Sequence, residues 1–336
     1  MSRYAPAYAN PQGPGDARPT ALQVVEDEEL IGQLAGKVVL VTGANTGIGL
    51  ETARAVHATG ATLFITARNL EKAQQAIDSI RNTDKPDPHS DAPIHVIELQ
   101  LDSLASVRAA ATSFYSQSDK LNVLILNAGV LGTPQGKTED GFETHFATNH
   151  LGHFLFFQLL KPALLKSSTP EFQSRVISIS SMAHHRGNVC LEDINFEKEP
   201  YEPWLAYGRS KTANILFANE VERRYGAKGL HALSIHPGLI FTNLTHHFSK
   251  EEFEAFKGLV SSEGAQKVTS NPAQGAATTI YAALSAEWEG QGGKYLADLA
   301  EKGYTGDIKG QASWTRDEQS QKELWIKSNQ LVGFDD

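Results

Sequence analysis

The residues best suited to chemistry are a tyrosine and a lysine four positions apart, Tyr207 and Lys211. On a helix this spacing places both side chains on one face, where the ammonium can stabilise a phenolate. The cation would then lower a tyrosine pKa that starts at about 10. We therefore predict a tyrosine that acts as a general acid/base.

A glycine turn lies 165 residues before this pair, at Thr42–Gly49. It follows an apolar run and precedes a helix-length segment, so its amides and the positive end of the helix dipole can receive a pyrophosphate. Gly43 permits a tight turn, Gly47 lets the backbone approach phosphate, and Gly49 lets the helix pack close to the sheet. The remaining predicted contacts of this turn are Asn45, Thr46 and Ile48.

Elements that could position these residues recur along the chain. Apolar runs predict strands at 38–41, 62–65, 96–99, 123–126, 176–179 and 230–235, with a seventh at 293–296, and helix-length segments lie between them. Such alternation predicts an α/β fold, a single doubly wound Rossmann-type domain. We expect a parallel sheet of about seven strands with helices on both faces.

Composition and length set the expected boundaries. We expect a flexible N-terminal extension at 1–35, rich in Pro, Gly and Ala at its start, the Rossmann domain at 36–310, and a C-terminal tail at 311–336. With 30 Lys and Arg against 39 Asp and Glu, the net charge is −9 and no basic run occurs, so nucleic acid is not an expected partner. The single cysteine, Cys190, excludes an intramolecular disulfide.

The apolar segments predict where the protein resides. None approaches the roughly 20 residues needed to span a bilayer, and the N-terminus lacks the apolar stretch of a secretory signal. We therefore expect a cytoplasmic protein without a membrane span.

The residue after the second strand favours NADP(H) over NAD(H). No carboxylate stands there to accept hydrogen bonds from the adenosine ribose, and Arg68 instead offers a cation for a 2′-phosphate. A solvated arginine is the alternative. Asp102 could hold the adenine amino group, or it could be the N-cap of the next helix. Asn127, Ala128 and Gly129 also fall at a strand end, where cofactors bind.

Taken together, the motifs resemble the short-chain dehydrogenase/reductase family over about residues 36–300. They are, in order, the glycine turn, Asn127-Ala128-Gly129, Asn149, Ser181, Tyr207 with Lys211, and Pro237-Gly238. The segments around Asn149 and Ser181 resemble the branch that includes retinol dehydrogenases. Branch resemblance does not fix the substrate.

The resemblance implies a role for each polar residue. Tyr207 exchanges a proton with the substrate oxygen, and Lys211 favours the phenolate and binds the nicotinamide ribose. Ser181, rather than its neighbour Ser180, contacts the substrate oxygen. Asn149 holds a water that passes protons through Lys211.

The resemblance also implies that Pro237, Gly238 and Thr242 shape the nicotinamide pocket. The long segment that follows, 239–271, is expected to form a lid over the substrate. Its aromatic residues suggest an apolar or aromatic substrate, although core packing explains most of them slightly better. Phe241, Trp204 and His184 are our candidates for pocket walls. The histidines lack carboxylate-rich metal spacing, so no metal is expected.

We therefore expect an NADP(H)-dependent carbonyl reductase or alcohol dehydrogenase that acts on a small-molecule ketone, aldehyde or alcohol, in biosynthesis (secondary metabolism) or detoxification. Alternatives that keep the fold are enone reduction, dehydration or isomerisation by the same tyrosine, and a nucleotide-sensing scaffold without turnover. The helices near 141–166 and 205–226 could pair in a homodimer or homotetramer. A monomer is the alternative if the tails cover those faces.

Overall fold

The computed structural model describes residues 2–82, 91–241, 244, 247, 248, 250–304 and 310–335. The strands are β1 Val38–Val41, β2 Thr62–Ala67, β3 Ile94–Glu98, β4 Val123–Leu126, β5 Ser174–Ile179, β6 Leu230–His236, β7 Leu239–Ile240, β8 Thr269–Ser270, β9 Lys294–Ala297 and β10 Ala300–Glu301. The helices are α1 Ala5–Ala9, α2 Ala21–Asp27, α3 Gly47–Ala58, α4 Leu70–Arg81, α5 Leu104–Tyr115, α6 Thr144–Phe146, α7 Gly152–Ser167, α8 Pro203–Tyr225, α9 Lys250–Val260, α10 Glu263–Val268, α11 Pro272–Gly275, α12 Ala277–Leu284 and α13 Glu318–Val332.

Eight of the strands form one sheet, in the order β10-β9-β6-β5-β4-β1-β2-β3. Seven of them run parallel, and the short β10 pairs antiparallel with β9 at one edge. The strand order reverses between β1 and β4. In a doubly wound sheet ligands bind outside the carboxyl ends of the strands at this reversal. The predicted fold class is confirmed.

Helices cover both faces because consecutive strand residues point to opposite sides. In β1, Val39 and Val41 join a core with α2, α3, α4 and α12, whereas Val38 and Leu40 join a second core with α5, α7, α8 and α13. Strands buried on both faces read as continuous apolar runs, which is the pattern of the sequence.

The N-terminal extension differs from the flexible segment that its composition suggests. It forms α1 and α2, buries Tyr4 and Val24, and places the Tyr4 ring 5.7 Å from the ring of Tyr281 in α12. Its apolar residues complete the core on the α3 and α12 side. Composition alone underestimated how much of this segment is ordered and buried, because only a few, widely spaced side chains make the contacts.

The C-terminal segment and the lid also contain regular structure. α13 packs on α7 and α8 with Leu324 and Trp325 buried. In its described part, the segment at 239–271 that is predicted to be a lid, and is called the lid below, contains β7, α9, α10 and β8, and β7 pairs in parallel with β8. Within the described part of the chain, no helix has both the length and the apolar character needed to cross a membrane.

Candidate active site

A cleft with a volume of about 1590 Å³ opens at the carboxyl ends of the parallel strands. It extends from the glycine turn to the lid, so the cofactor and chemical motifs share one space. The predicted site residues that line it are Gly43, Asn45, Thr46, Gly47, Ile48, Gly49, Arg68, Asp102, Asn127, Ala128, Gly129, Ser181, Trp204, Tyr207, Lys211, Pro237, Gly238 and Phe241. Thr242 lies outside the described residues.

The glycine turn has the geometry that its sequence predicts. Gly43 and Gly47 have positive φ angles of 65° and 57°, which other residues adopt only with strain. A Cβ on Gly49 would lie 2.2 Å from the carbonyl oxygen of Gly43, so only glycine fits there. Thr46 is the N-cap of α3, yet among the described residues its side chain makes no capping hydrogen bond. The first amides of α3 are therefore available to an anionic group.

A hydroxyl beneath this turn joins it to the next strand. The Thr42 Oγ1 accepts hydrogen bonds from the backbone amides of Asn127 at 2.9 Å and Ala128 at 3.0 Å. It also lies 2.9 Å from His153 Nε2. His153 Nδ1 lies 3.2 Å from the Asn149 carbonyl oxygen, which can only accept, so Nδ1 carries the proton and Nε2 accepts from Thr42.

His153 was not singled out by sequence reasoning, although it follows Asn149 by four residues on the same helical segment. That spacing, which places two polar side chains on one face, is the signal that could have found it. Burial lowers the pKa of His153 to about 3, so the ring stays neutral. The neutral ring links the glycine turn to the helix turn that carries Asn149.

The far end of the cleft, beyond β2, is basic. Arg68 and Lys72 both line it and both are exposed. Lys72, four residues after Arg68 near the start of α4, was missed because a lysine in the first turns of a helix looks like ordinary surface. Asp102 lines the same end, but it is not a helix cap: Ser103 is the N-cap of α5 and accepts from the Ser106 amide at 3.3 Å. The capping explanation for Asp102 is therefore wrong.

Ser181, Tyr207 and Lys211 meet at the other end. All three side chains line this end of the cleft, Ser181 lies close enough to Tyr207 to lower the pKa of its phenol, and the Lys211 Nζ lies 5.5 Å from the centre of the Tyr207 ring. Lys211 Nζ also donates to the Ile179 carbonyl at 3.1 Å. Ser180 differs from Ser181, because its hydroxyl donates to the Lys211 carbonyl at 2.8 Å and is buried. Ser181 is thus the serine that contacts the tyrosine.

The pKa of the tyrosine shifts opposite to the sequence expectation. Burial raises the pKa of Tyr207 to about 12, although the hydrogen bond from Ser181 opposes the rise. Burial also lowers the pKa of Lys211 from 10.5 to about 7. Desolvation dominates both shifts, so the phenol is neutral and suited to donate a proton.

Asn149 is completely buried beside this group. Its Oδ1 accepts from the Val130 amide at 2.8 Å, and its Nδ2 donates to the Val130 carbonyl at 3.1 Å and to Ser210 Oγ at 2.9 Å. Both amide donors are therefore engaged by protein groups. The side chain fixes the backbone that follows Gly129, and the water expected at Asn149 stays a prediction.

His184 is not a pocket wall, contrary to the prediction. It is fully buried, with Nδ1 2.6 Å from the Ser181 carbonyl and Nε2 accepting from the Ala312 amide at 3.1 Å. The ring joins the turn after Ser181 to the C-terminal segment. Its neighbour His185 lines the cleft instead. Sequence could not separate the two because a short helical turn decides which ring points inward.

The substrate end of the cleft has an aromatic wall contributed partly by the lid. The Trp204 ring lies 6.5 Å from that of Tyr207, 5.8 Å from that of Phe248 and 6.1 Å from that of Phe256. Phe241 lies 6.2 Å from Phe256 and remains 53% exposed. Among the described residues, no group of three or more His, Cys, Asp or Glu side chains could hold a metal ion.

A doubly wound sheet with an uncapped glycine turn, and with Ser181 beside a buried tyrosine and lysine in one cleft, defines a dinucleotide-dependent class of protein. The family model described as short chain dehydrogenase matches residues 37–252. The chain therefore belongs to the short-chain dehydrogenase/reductase family.

Individual relatives agree with this assignment. The chain is 47% identical to the short-chain dehydrogenase/reductase prx1 of Penicillium roqueforti, over 99% of this chain and 95% of that protein. It is 38% identical to human retinol dehydrogenase 11, over 90% and 87%. A solved structure of an uncharacterized protein from Mycobacterium paratuberculosis superposes with a TM-score of 0.68 at 32% identity, over 92% and 97%. The resemblance to the retinol dehydrogenase-like branch is confirmed.

Proposed function

We propose that the protein is an NADP(H)-dependent oxidoreductase that interconverts a carbonyl compound and the corresponding alcohol. The observation that carries the proposal is the meeting of Ser181, Tyr207 and Lys211 in the cleft that begins at the glycine turn. Family membership supports a dehydrogenase or reductase. The nicotinamide, when bound, supplies or accepts the hydride.

The chain's own residues would orient the substrate and exchange the proton. Ser181 would donate a hydrogen bond to the carbonyl oxygen and stabilise negative charge that develops there. Tyr207, protonated at neutral pH because of its raised pKa, would transfer its proton to the same oxygen. Lys211 would stabilise the resulting phenolate, and in the reverse direction the phenolate would accept the alcohol proton.

The basic end of the cleft supports the choice of NADP(H). Arg68 and Lys72 line the same end of the cleft, and Arg68 could pair with an adenosine 2′-phosphate through two donors. Asp102 is the only carboxylate among the described residues of the cleft lining. The residues holding the pyrophosphate would be the amides of Gly47 and Ile48 at the start of α3.

Aromatic contacts support an apolar or aromatic substrate. Trp204, Phe241 and Phe256 line the cleft near Tyr207, and all carry flat apolar surface. Such walls favour ring-containing ketones and aldehydes over small polar ones.

The test measures NADPH and NADH binding and then NADPH oxidation with aromatic ketones, quinones and aldehydes. Arg68→Ala should weaken NADPH binding about tenfold and leave NADH binding unchanged, since one phosphate contact is lost. Arg81→Ala, an exposed change at the opposite end of α4, is the matched control. Tyr207→Phe should abolish turnover and retain NADPH binding.

Equal binding of NADH and NADPH by the wild type would overturn the cofactor assignment. NADPH binding without turnover of any carbonyl compound would favour the sensing scaffold. A product with its carbonyl intact and a carbon–carbon double bond reduced, or one formed by dehydration or isomerisation, would replace carbonyl reduction with that alternative.

A further inference from the structure

The N-terminal extension reaches the end of the lid through one buried cation, Arg18, which is 5% exposed. Its Nη2 donates to the Thr269 carbonyl at 2.7 Å, and its Nη1 donates to the Val268 carbonyl at 2.9 Å. Nη2 also lies 3.4 Å from the carbonyl of Lys267. Three consecutive carbonyls at the C-terminal end of α10, which a helix leaves without partners, are therefore held by one guanidinium.

A carboxylate balances this buried charge. Arg18 Nε donates to both oxygens of Asp16, at 2.8 and 3.0 Å. Burial raises the pKa of Asp16, but the bonds from Arg18 and from two backbone amides outweigh burial and bring it to about 2. The Asp16 carboxylate is thus ionised at neutral pH, and both of its oxygens accept from the single Arg18 Nε, which leaves Nη1 and Nη2 for the carbonyls.

A second side chain fixes the same loop from the other direction. Gln274 in α11, just after the lid, donates to the Arg18 carbonyl at 3.0 Å and to Asp16 Oδ1 at 3.1 Å. Its Oε1 accepts from the Gly15 amide at 2.9 Å. Residues 13–18 are therefore tied to both the last residues of the lid and the helix that follows it.

The anchor is one strand away from the cleft wall. Thr269 in β8 pairs with Leu239 in β7, and Leu239 and Ile240 line the cleft together with Phe241. Ile240 packs on Gly275, where an added Cβ would lie 2.7 Å from its Cγ1. Movement of β8 would therefore displace β7 and the residues that face the substrate.

We propose that Arg18 is a positioning residue for substrate binding, which holds the C-terminal end of the lid against the body of the protein. The inference rests on the proposed function, because the lid matters only where a substrate binds beneath it. It gives the N-terminal extension a role at the active site, although Arg18 touches neither substrate nor cofactor.

Three variants test it. Arg18→Gln removes the charge, Arg18→Lys keeps the charge but loses the multiple donors of the guanidinium, and Arg3→Gln is the matched control. Arg3 also lies in the extension and pairs with a carboxylate, Glu28, at 2.7 Å, but that pair lies near Ser285 at the end of α12 and not at the lid.

Steady-state kinetics of NADPH oxidation and hydrogen exchange of backbone amides are measured on each full-length protein. Arg18→Gln should raise the KM for the carbonyl substrate about tenfold, with kcat and the Kd for NADPH changed less than about twofold. Amides in 250–270 should exchange faster while those of β1 and β4 do not change. Arg18→Lys should give an intermediate KM, and Arg3→Gln should match the wild type.

An unchanged KM in a folded Arg18→Gln protein would overturn the proposal, as would equal rises in KM for Arg18→Gln and Arg3→Gln. If Arg18→Gln does not fold, Arg18→Lys decides by the same measurements. If the wild type turns over no carbonyl compound, the proposed function fails, and unchanged exchange in 250–270 would then overturn the anchor separately.

Discussion

Replacing Lys211 by methionine should stabilise the ligand-free protein while abolishing activity. The Lys211 ammonium is 4% exposed, and its pKa falls from 10.5 to about 7 because burial penalises the charge. Within the described chain it forms no ion pair, and its hydrogen bond is to a neutral carbonyl, that of Ile179. Methionine has a similar length and no charge, so it should fill the same space without this penalty.

The expected size follows from the pKa. A fall from 10.5 to about 7 corresponds to about 5 kcal/mol in favour of the neutral amine. At pH 7 about 4 kcal/mol of this acts against folding, because half of the folded amines are neutral whereas the unfolded lysine is protonated. Loss of the bond to Ile179 costs about 1 kcal/mol. The net gain in free energy of unfolding is about 3 kcal/mol, or about 5 °C in Tm.

The pH dependence of stability provides a second test of the prediction that Lys211→Met stabilises the protein. Between about pH 7 and 10.5 the unfolded state binds more protons at Lys211 than the folded state, so wild-type stability rises with pH relative to the variant. The difference between the two proteins should therefore be largest below pH 7 and should close as the pH approaches 10.5.

Denaturant unfolding without cofactor, from pH 6 to 10, measures this difference. Lys322→Met is the matched control, because Lys322 is 40% exposed and pairs with Glu318 at 3.6 Å on α13. It should change stability by less than about 0.5 kcal/mol. A Lys211→Met protein that is less stable than the wild type at pH 7, or a difference that does not vary with pH, would refute the reasoning.

Four further outcomes are expected. Alcohol oxidation should rise about tenfold per pH unit without a plateau below about pH 10, because the pKa of Tyr207 is about 12; a pH–rate profile that levels off near pH 7 would contradict this. Gly49→Ala should abolish NADPH binding, measured by fluorescence titration, since its Cβ would lie 2.2 Å from the Gly43 carbonyl. Light scattering should give a monomer of 36.5 kDa because α13 covers α7 and α8, and Trp325→Ala should cost about 3–5 kcal/mol in chemical unfolding.

Much of the fold was predictable because the signals are local. Strands buried on both faces tend to be apolar along their whole length, so β1 and β4 were visible in the sequence. The glycine turn and the Tyr207–Lys211 spacing were equally visible, since each depends on residues close in the chain. The cleft that contains both follows from the rule that strand ends meet at one edge.

The errors concern properties that depend on distant residues. The raised pKa of Tyr207 results from burial by segments far along the chain, which spacing alone cannot supply. His184 and His185 differ only in which way a short turn directs them. The contacts of Arg18 are with residues about 250 positions away, and a lone arginine in a segment rich in Pro and Gly carries no local sign of them.

The distance between Arg18 and the end of the lid also bears on how the enzyme is made. During synthesis the N-terminal part of a chain emerges first, and contacts between distant segments close last. The glycine turn and the tyrosine–lysine pair have both left the ribosome when residue 211 has, but Arg18 must wait for the carbonyls of 267–269. The glycine turn and the tyrosine–lysine pair can therefore fold before Arg18 docks on the end of the segment at 239–271.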